Sequence, residues 1–235
     1  MRVTRVDPAK LNAIKQLIVV SALLGVWALI FLATTGSISV RSVIFLGASF
    51  LSSSSGVIAQ YKLNPQLIPA RLKIKRGGSK AWDEILMRVT NLIAIAAMPA
   101  IAGWDVSNFS EATLDPGWII VGLAVLACST LLLNWAMAVN PHFEPTVRIQ
   151  TDRGHSVITR GPYQYIRHPG YLAGILYIVS VPLVVGSVFA FIPVGLYTAC
   201  TVLRTSLEDR TLGSELEGYA SYAETVRYRL VPGVW

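Results

Sequence analysis

The sequence predicts an all-α, polytopic membrane bundle of about six spans, within a range of five to seven, with a helical hairpin near its C-terminal end. Three observations predict it. Hydrophobic side chains make up 53% of the 235 residues and charged ones only 14%, with a mean hydropathy of +0.55, which is outside the range of soluble domains. Apolar runs of roughly 20 residues, enough to cross a bilayer core as a helix, recur along the chain. The basic residues, which leave a net charge of +7, are distributed one-sidedly between those runs. Cys128 and Cys200 sit inside apolar runs as inert packing residues with no metal-ligand spacing, so disulfide scaffolds and zinc modules are excluded.

The first run, residues 16–35, has no charge and is too long for a cleavable signal peptide, so it is read as a span. The second, residues 42–60, contains the serine run 52–55; such small residues suit helix-to-helix packing and place this span toward the bundle interior. Residues 85–103 and 117–139 supply the third and fourth. The stretch 171–203 is too long for one crossing, about 50 Å as a single helix, and carries Pro182 and Gly186 as breakers. A two-helix hairpin turning near residues 185–188 accounts for it.

Counted against these spans, 19 of the 20 basic residues fall on one side. They are Arg2, Arg5, Lys10 and Lys15 in the N-terminal arm; Lys62, Arg71, Lys73, Lys75, Arg76, Lys80 and Arg88 around the second loop; Arg148, Arg153, Arg160 and Arg167 in the fourth; and Arg204, Arg210, Arg227 and Arg229 toward the C-terminus. Arg41 stands opposite, with Asp105, Glu111 and Asp115. Both termini are therefore expected to be cytoplasmic, and the +7 charge is assigned to topology and anionic headgroups rather than to nucleic acid.

The spans carry almost no ionisable groups, which disfavours a transporter, and the long polar segments 140–169 and 208–235 gather on the basic side. In the segment 151–171, aromatic, histidine, glycine and arginine residues crowd before a membrane helix that Pro169 can open, where the helix N-terminus favours an anion. Singly, Tyr163, Tyr165 and Tyr171 read as interface anchors, His168 as a structural histidine, and Arg204 with Glu208, four residues on, as a surface ion pair. The hairpin, however, returns residues 204–209 to the membrane face that holds residues 167–171. A cation, a carboxylate and several aromatics can converge there on a polar ligand.

The segment GPYQYIRHPGY (161–171), the acidic pair Glu208 and Asp209, and the ending GYASYAETVRYRLVPGVW (218–235) resemble the isoprenylcysteine carboxyl methyltransferase superfamily, which includes the phospholipid N-methyltransferases. The family pattern of an Arg-His-Pro-x-Tyr box, a hydrophobic hairpin, an acidic pair and a glycine, tyrosine and proline tail is present in order. The upstream segment NPQLIPARLKIKRGGSKAWDEILM (64–87) is also similar to a loop of prokaryotic members, so the likeness covers roughly residues 60–235. The resemblance divides the chain into two N-terminal spans (1–60), a basic loop with two spans (61–139), and a methyltransferase region with its hairpin and tail (140–235).

It implies an enzyme that takes S-adenosylmethionine from the cytosolic face and a lipophilic or lipidated acceptor from the bilayer. Matching positions assign the cofactor to Gln150, His155, Ser156, Val157, Ile158, Tyr163, His168, Pro169, Gly170, Tyr171, Glu208 and Asp209, with Gln150 the looser match. Arg204 takes the place of the substrate-contacting arginine, and Arg204, Glu208 and Arg167 form the implied catalytic set. Asp209 stands where many relatives have a second glutamate, which keeps the charge and shortens the reach. Tyr163 and Tyr171 offer ring faces to a sulfonium. The acceptor, carboxylate or amine, stays open at this point, as do an NADPH-dependent sterol-reductase-like enzyme, which shares the Arg-His-Pro box, and a non-catalytic scaffold.

Overall fold

The computed structural model describes residues 7–73, 77–109 and 114–235, so Arg2, Arg5, Lys75, Arg76 and Glu111 of the charge pattern lie outside the described residues. Among the described residues the protein is helical throughout, with no strand. Helix α1 (Pro8–Thr35) begins where Asp7 accepts from the Ala9 N–H, with proline at the first helical position, and ends at Gly36 in the left-handed conformation. A reciprocal Ser39–Ser42 capping box opens α2 (Val40–Leu63). The short α3 (Leu67–Leu72) tucks under the bundle, with Leu67 and Ile68 fully buried. Then α4 (Ala81–Leu92) continues through a π-helical turn at Ile93–Ala97 into α5 (Met98–Asn108), together one run of 28 residues. Helix α6 (Trp118–Val139) packs along α7 (Pro169–Val185), and α8 (Phe191–Glu215) and the short α9 (Tyr219–Thr225) complete the chain.

Among the described residues, four helical runs are long and apolar enough to cross a membrane: Pro8–Thr35, Val40–Leu63, Ala81–Asn108 and Trp118–Val139. The apolar α7 has 17 residues, and the second half of α8 is charged, so the C-terminal hairpin is shorter in its apolar part than the other spans. Of the two breakers expected in that stretch, only Gly186 acts as one. It takes φ 89° at the end of α7, whereas Pro182 is carried inside the helix, close enough to its end that its carbonyl accepts the capping Gly186 N–H. The serine run does turn inward: Ser52 shares a 2.6 Å hydrogen bond with Thr130 of α6, and Ser55 accepts from Asn134.

One core, built from Trp27, Phe31, Phe45, Met98, Ile178, Val181 and Val184, fills the middle of the bundle. Small residues allow its helices to approach closely: a Cβ on Gly122 of α6 would stand 2.6 Å from Val184 of α7. At the end away from the polar segments, Asp105 closes the hairpin turn by accepting from the Ser187 hydroxyl (2.6 Å) and the Phe189 N–H (2.9 Å). Arg41 lies here too, donating to the Leu114 carbonyl at 2.8 Å and passing over Gly186. A Cβ on Gly186 would meet the Arg41 guanidinium at 2.0 Å on a backbone already at positive φ. Gly186→Ala is therefore expected to lower stability by about 1–3 kcal/mol, read as a fall in the thermal midpoint of the purified protein.

Candidate active site

The opposite end is assembled by the loop 140–168, the second half of α8, α9 and the tail. Asn64, just past α2, donates to the carbonyls of Met137 (2.9 Å) and Asn140 (3.2 Å) and so fixes where the loop leaves α6. Within the loop Glu144 accepts from Arg148 and Arg153, and these bonds hold its carboxyl below the usual range although burial pushes the other way. Gln150 is buried, donating to the His142 carbonyl at 2.7 Å and accepting from Arg153 at 3.0 Å.

The Arg-His-Pro box is tied to the acidic pair and the tail through Asp209. Its buried carboxylate takes a fork from Arg167 (2.7 and 2.8 Å), the Tyr219 hydroxyl (2.8 Å), the Arg229 guanidinium (2.9 Å) and His168 Nε2 (3.2 Å). Arg167 also donates to the carbonyls of Val226 (2.8 Å) and Arg227 (3.0 Å), and the backbone N–H groups of Arg167 and His168 donate to the Tyr228 and Arg229 carbonyls, each at 2.9 Å. Four separate segments are thus knotted around one carboxylate. Tyr222 adds a hydrogen bond to the Tyr163 carbonyl at 2.7 Å, and Asn140 donates to the Tyr163 hydroxyl at 2.9 Å.

Above this knot is a cavity of about 340 Å³. Of the positions the sequence nominated, Gln150, His155, Ser156, Val157, Ile158, Tyr163, Arg167, His168, Pro169, Gly170, Tyr171, Arg204 and Glu208 line it. Asp209 does not; it lies beneath the cavity, and its lone pairs are taken by protein donors. Against the expectation that it faces the ligand, Asp209 ties the box, α9 and the tail to one another. Arg167 lines the cavity, but most of its N–H groups are committed to Asp209 and to backbone carbonyls.

The surface ion pair that Arg204 and Glu208 suggest when read singly does not form. The arginine's partner is Asp83, fully buried on α4: Arg204 Nε and Nη2 reach the two carboxylate oxygens at 2.5 and 3.1 Å, and Nη2 also donates to the Pro145 carbonyl. Asp83 in turn accepts from the Val147 N–H at 2.7 Å, so one carboxylate sets both the arginine and the loop. Arg204 Nη1 has no hydrogen-bond partner among the described residues. Glu208 accepts the Tyr171 hydroxyl and forms no ion pair among the described residues. The Tyr171 ring has Arg204 over it at 5.1 Å and His168 stacked alongside at 5.7 Å. The ring thus sits between two protein groups.

Sequence reasoning missed several lining or supporting groups. Asp83 could have been found from the rule that a buried charge needs a partner, since Arg204 follows directly on the apolar first half of α8. His142, whose ring lies 4.6 Å from that of His155, also lines the cavity and has a buried Nδ1 with no hydrogen-bond partner among the described residues. Phe143 packs on Gly170 so closely that a Cβ there would lie 2.4 Å from the ring. The helices add Met87, Thr90 and Asn91 of α4, Leu133 of α6 and Tyr197 of α8 to the wall, beside further loop residues such as Pro145, Thr146 and Val147.

Burial, then the neighbouring His142 and Arg148, pushes the His155 imidazole down to about 4 from its ordinary 6.5. The fold thus favours the neutral ring, whose Nδ1 accepts the Gln150 N–H at 3.3 Å. That contribution to stability is complete above pH 6.5 and is lost as pH falls toward 4, where the unfolded chain binds the extra proton. The thermal midpoint is expected to decline across that window, and His155→Asn, which keeps an acceptor without the titration, should flatten part of the slope.

The class of protein that this fold and cavity define is an intramembrane helical bundle with a loop-and-hairpin site at one end. The fold is similar to the solved "Structure of the eukaryotic intramembrane Ras methyltransferase ICMT (isoprenylcysteine carboxyl methyltransferase) without a monobody", with a TM-score of 0.50 and 17% identity, covering 91% of this chain and 75% of that one. Residues 120–214 match the model of the isoprenylcysteine carboxyl methyltransferase (ICMT) family, a region that runs from α6 through the loop and hairpin and contains every nominated position. No curated protein matches the chain. The family-model match falls on boxes that carry the sequence resemblance, and the structural match agrees with the helical membrane fold expected from it.

Proposed function

We propose that the protein is an integral membrane, S-adenosylmethionine-dependent methyltransferase that modifies a carboxylate or amine of a lipid-like acceptor entering from the bilayer. In this reading the hairpin completes six crossings, both termini are cytoplasmic, and the cofactor enters from that side. The observation that carries it is the composition of the cavity wall, which joins the nominated loop and box residues to the membrane-helix residues Met87, Thr90, Leu133 and Tyr197. One space therefore meets both a water-soluble and a lipid-soluble ligand.

The residues fit the cofactor. The free end of Glu208 and the wall tyrosines Tyr163, Tyr197 and Tyr222 offer a hydrogen-bond acceptor and aromatic surface for a cationic, amino-acid-bearing ligand. Bound there, S-adenosylmethionine would supply a sulfonium methyl open to in-line attack, with S-adenosylhomocysteine as leaving group. The protein's share is placement in a water-poor cavity, where proximity of the two ligands supplies most of the rate. Arg204 Nη1, with the rest of the guanidinium fixed by Asp83 and Pro145, holds an acceptor carboxylate or phosphate. Glu208, oriented by Tyr171, accepts from amino or hydroxyl groups of the cofactor, or takes the proton of an amine acceptor. Arg167, His168 and Asp209 keep these groups in register.

Comparative lipidomics of cells with and without the protein tests this reading. The expected result is a lipid-soluble species heavier by one methyl group only when the protein is present, carrying label when labelled methionine is fed. An unchanged, unlabelled lipid fraction from cells making folded protein would contradict it.

A further inference from the structure

A second cavity, of about 510 Å³, opens between α1 and the α3 region, separate from the candidate active site. On the α1 side, Asn12 and Lys15 stand above Ile18 and Val19, a spacing that puts all four on one helical face. The facing wall is Pro69, Leu72 and Lys73, held in place because Leu67 and Ile68 of α3 are fully buried. The groove is therefore built from two anchored elements.

Its charge is unbalanced. No acidic residue lines it, and neither Lys15 nor Lys73 forms an ion pair among the described residues. The Asp152 carboxylate is within electrostatic reach of Lys73, but its hydrogen bonds go to Arg148. The groove is also graded. Lys15 is the last charged residue before the charge-free run 16–35, which sets it at headgroup level, while Ile18 and Val19 continue into the apolar part at 62% and 49% exposure. An occupant that matches both walls is anionic at one end and apolar at the other.

We propose that this groove binds an anionic phospholipid of the surrounding leaflet, its phosphodiester between Lys15 and Lys73 and an acyl chain along Ile18 and Val19. Two ammonium groups on opposite walls attract the phosphate with little competition from protein carboxylates, and the apolar strip excludes a free anion as the best-fitting ligand. An acidic peptide would match the lysines but leave Ile18 and Val19 uncovered.

The full-length protein, delipidated and placed in phosphatidylcholine nanodiscs, can be titrated with phosphatidylglycerol while retained lipid is read by native mass spectrometry. Wild type is expected to retain phosphatidylglycerol over phosphatidylcholine, the Lys15→Gln/Lys73→Gln variant to bind it at least about tenfold more weakly, and Ile18→Ser/Val19→Ser to lose retention with both lysines present. Circular dichroism of each variant reports the fold, and Lys73→Gln alone serves if the double variant misfolds. Equal retention of the two lipids, or retention indifferent to these substitutions in folded protein, would overturn the proposal. Inorganic phosphate competing as well as the lipid would reassign the groove to a free anion and overturn it equally.

Discussion

Replacing Asp209 by alanine is expected to lower stability by about 3–5 kcal/mol and to abolish measurable cofactor affinity. The carboxylate lies under the cavity and accepts from Arg167, Arg229, Tyr219 and His168 together, so its removal leaves a buried guanidinium without a counter-charge and unties the box, α9 and the tail at once. The Tyr219 hydroxyl, whose pKa is raised by burial and by Asp209, shows how strongly this carboxylate acts on its surroundings. Pairing the change with Arg167→Met should recover part of the lost stability, because no buried charge then faces an empty site, but not the binding. Thermal unfolding and calorimetry on the same preparations separate the two effects. Asp209→Glu should also destabilise, since donors gathered on a short side chain must move outward for a longer one.

Arg204→Ala is expected to reduce turnover of the acceptor by about 100-fold or more while changing cofactor affinity little. The guanidinium is fixed by Asp83 and Pro145 and stacked over Tyr171, which leaves Nη1 as its contribution to a ligand. Lysine at this position should not rescue, because a single ammonium cannot form the fork to Asp83 and still reach the acceptor. Asp83→Asn should act in the same direction, by loosening both Arg204 and the loop backbone at Val147. Steady-state kinetics in both substrates checks this division; parallel loss of cofactor affinity in Arg204→Ala and Glu208→Ala would contradict it.

Much of this architecture was legible because bilayer physics writes it plainly. Uncharged runs of span length, the basic residues between them and the glycine at residue 186 are local signals, and each led to a helix, a polar end or a turn. The cavity wall was legible as well, since its boxes are short and sit at chain reversals. What could not be read was the partnering across helices. Arg204 and Glu208 are separated by one helical turn and look like a pair, yet a carboxylate 121 residues upstream, Asp83, takes the arginine. Asp209 likewise reads as the second half of an acidic pair facing a ligand, but successive residues on a helix point about 100° apart. Glu208 therefore faces the cavity while Asp209 faces the tail. Pro182 misled for a different reason: a proline in the last turn of a helix removes one hydrogen bond without ending the helix.

The proposed function depends on what the main cavity binds. Calorimetric titration of S-adenosylmethionine into the purified protein, with circular dichroism as the fold check, addresses this most directly. The account predicts saturable one-to-one binding that S-adenosylhomocysteine displaces, NADPH does not, and Glu208→Ala weakens. Absence of binding to folded protein, or displacement by NADPH, would contradict it.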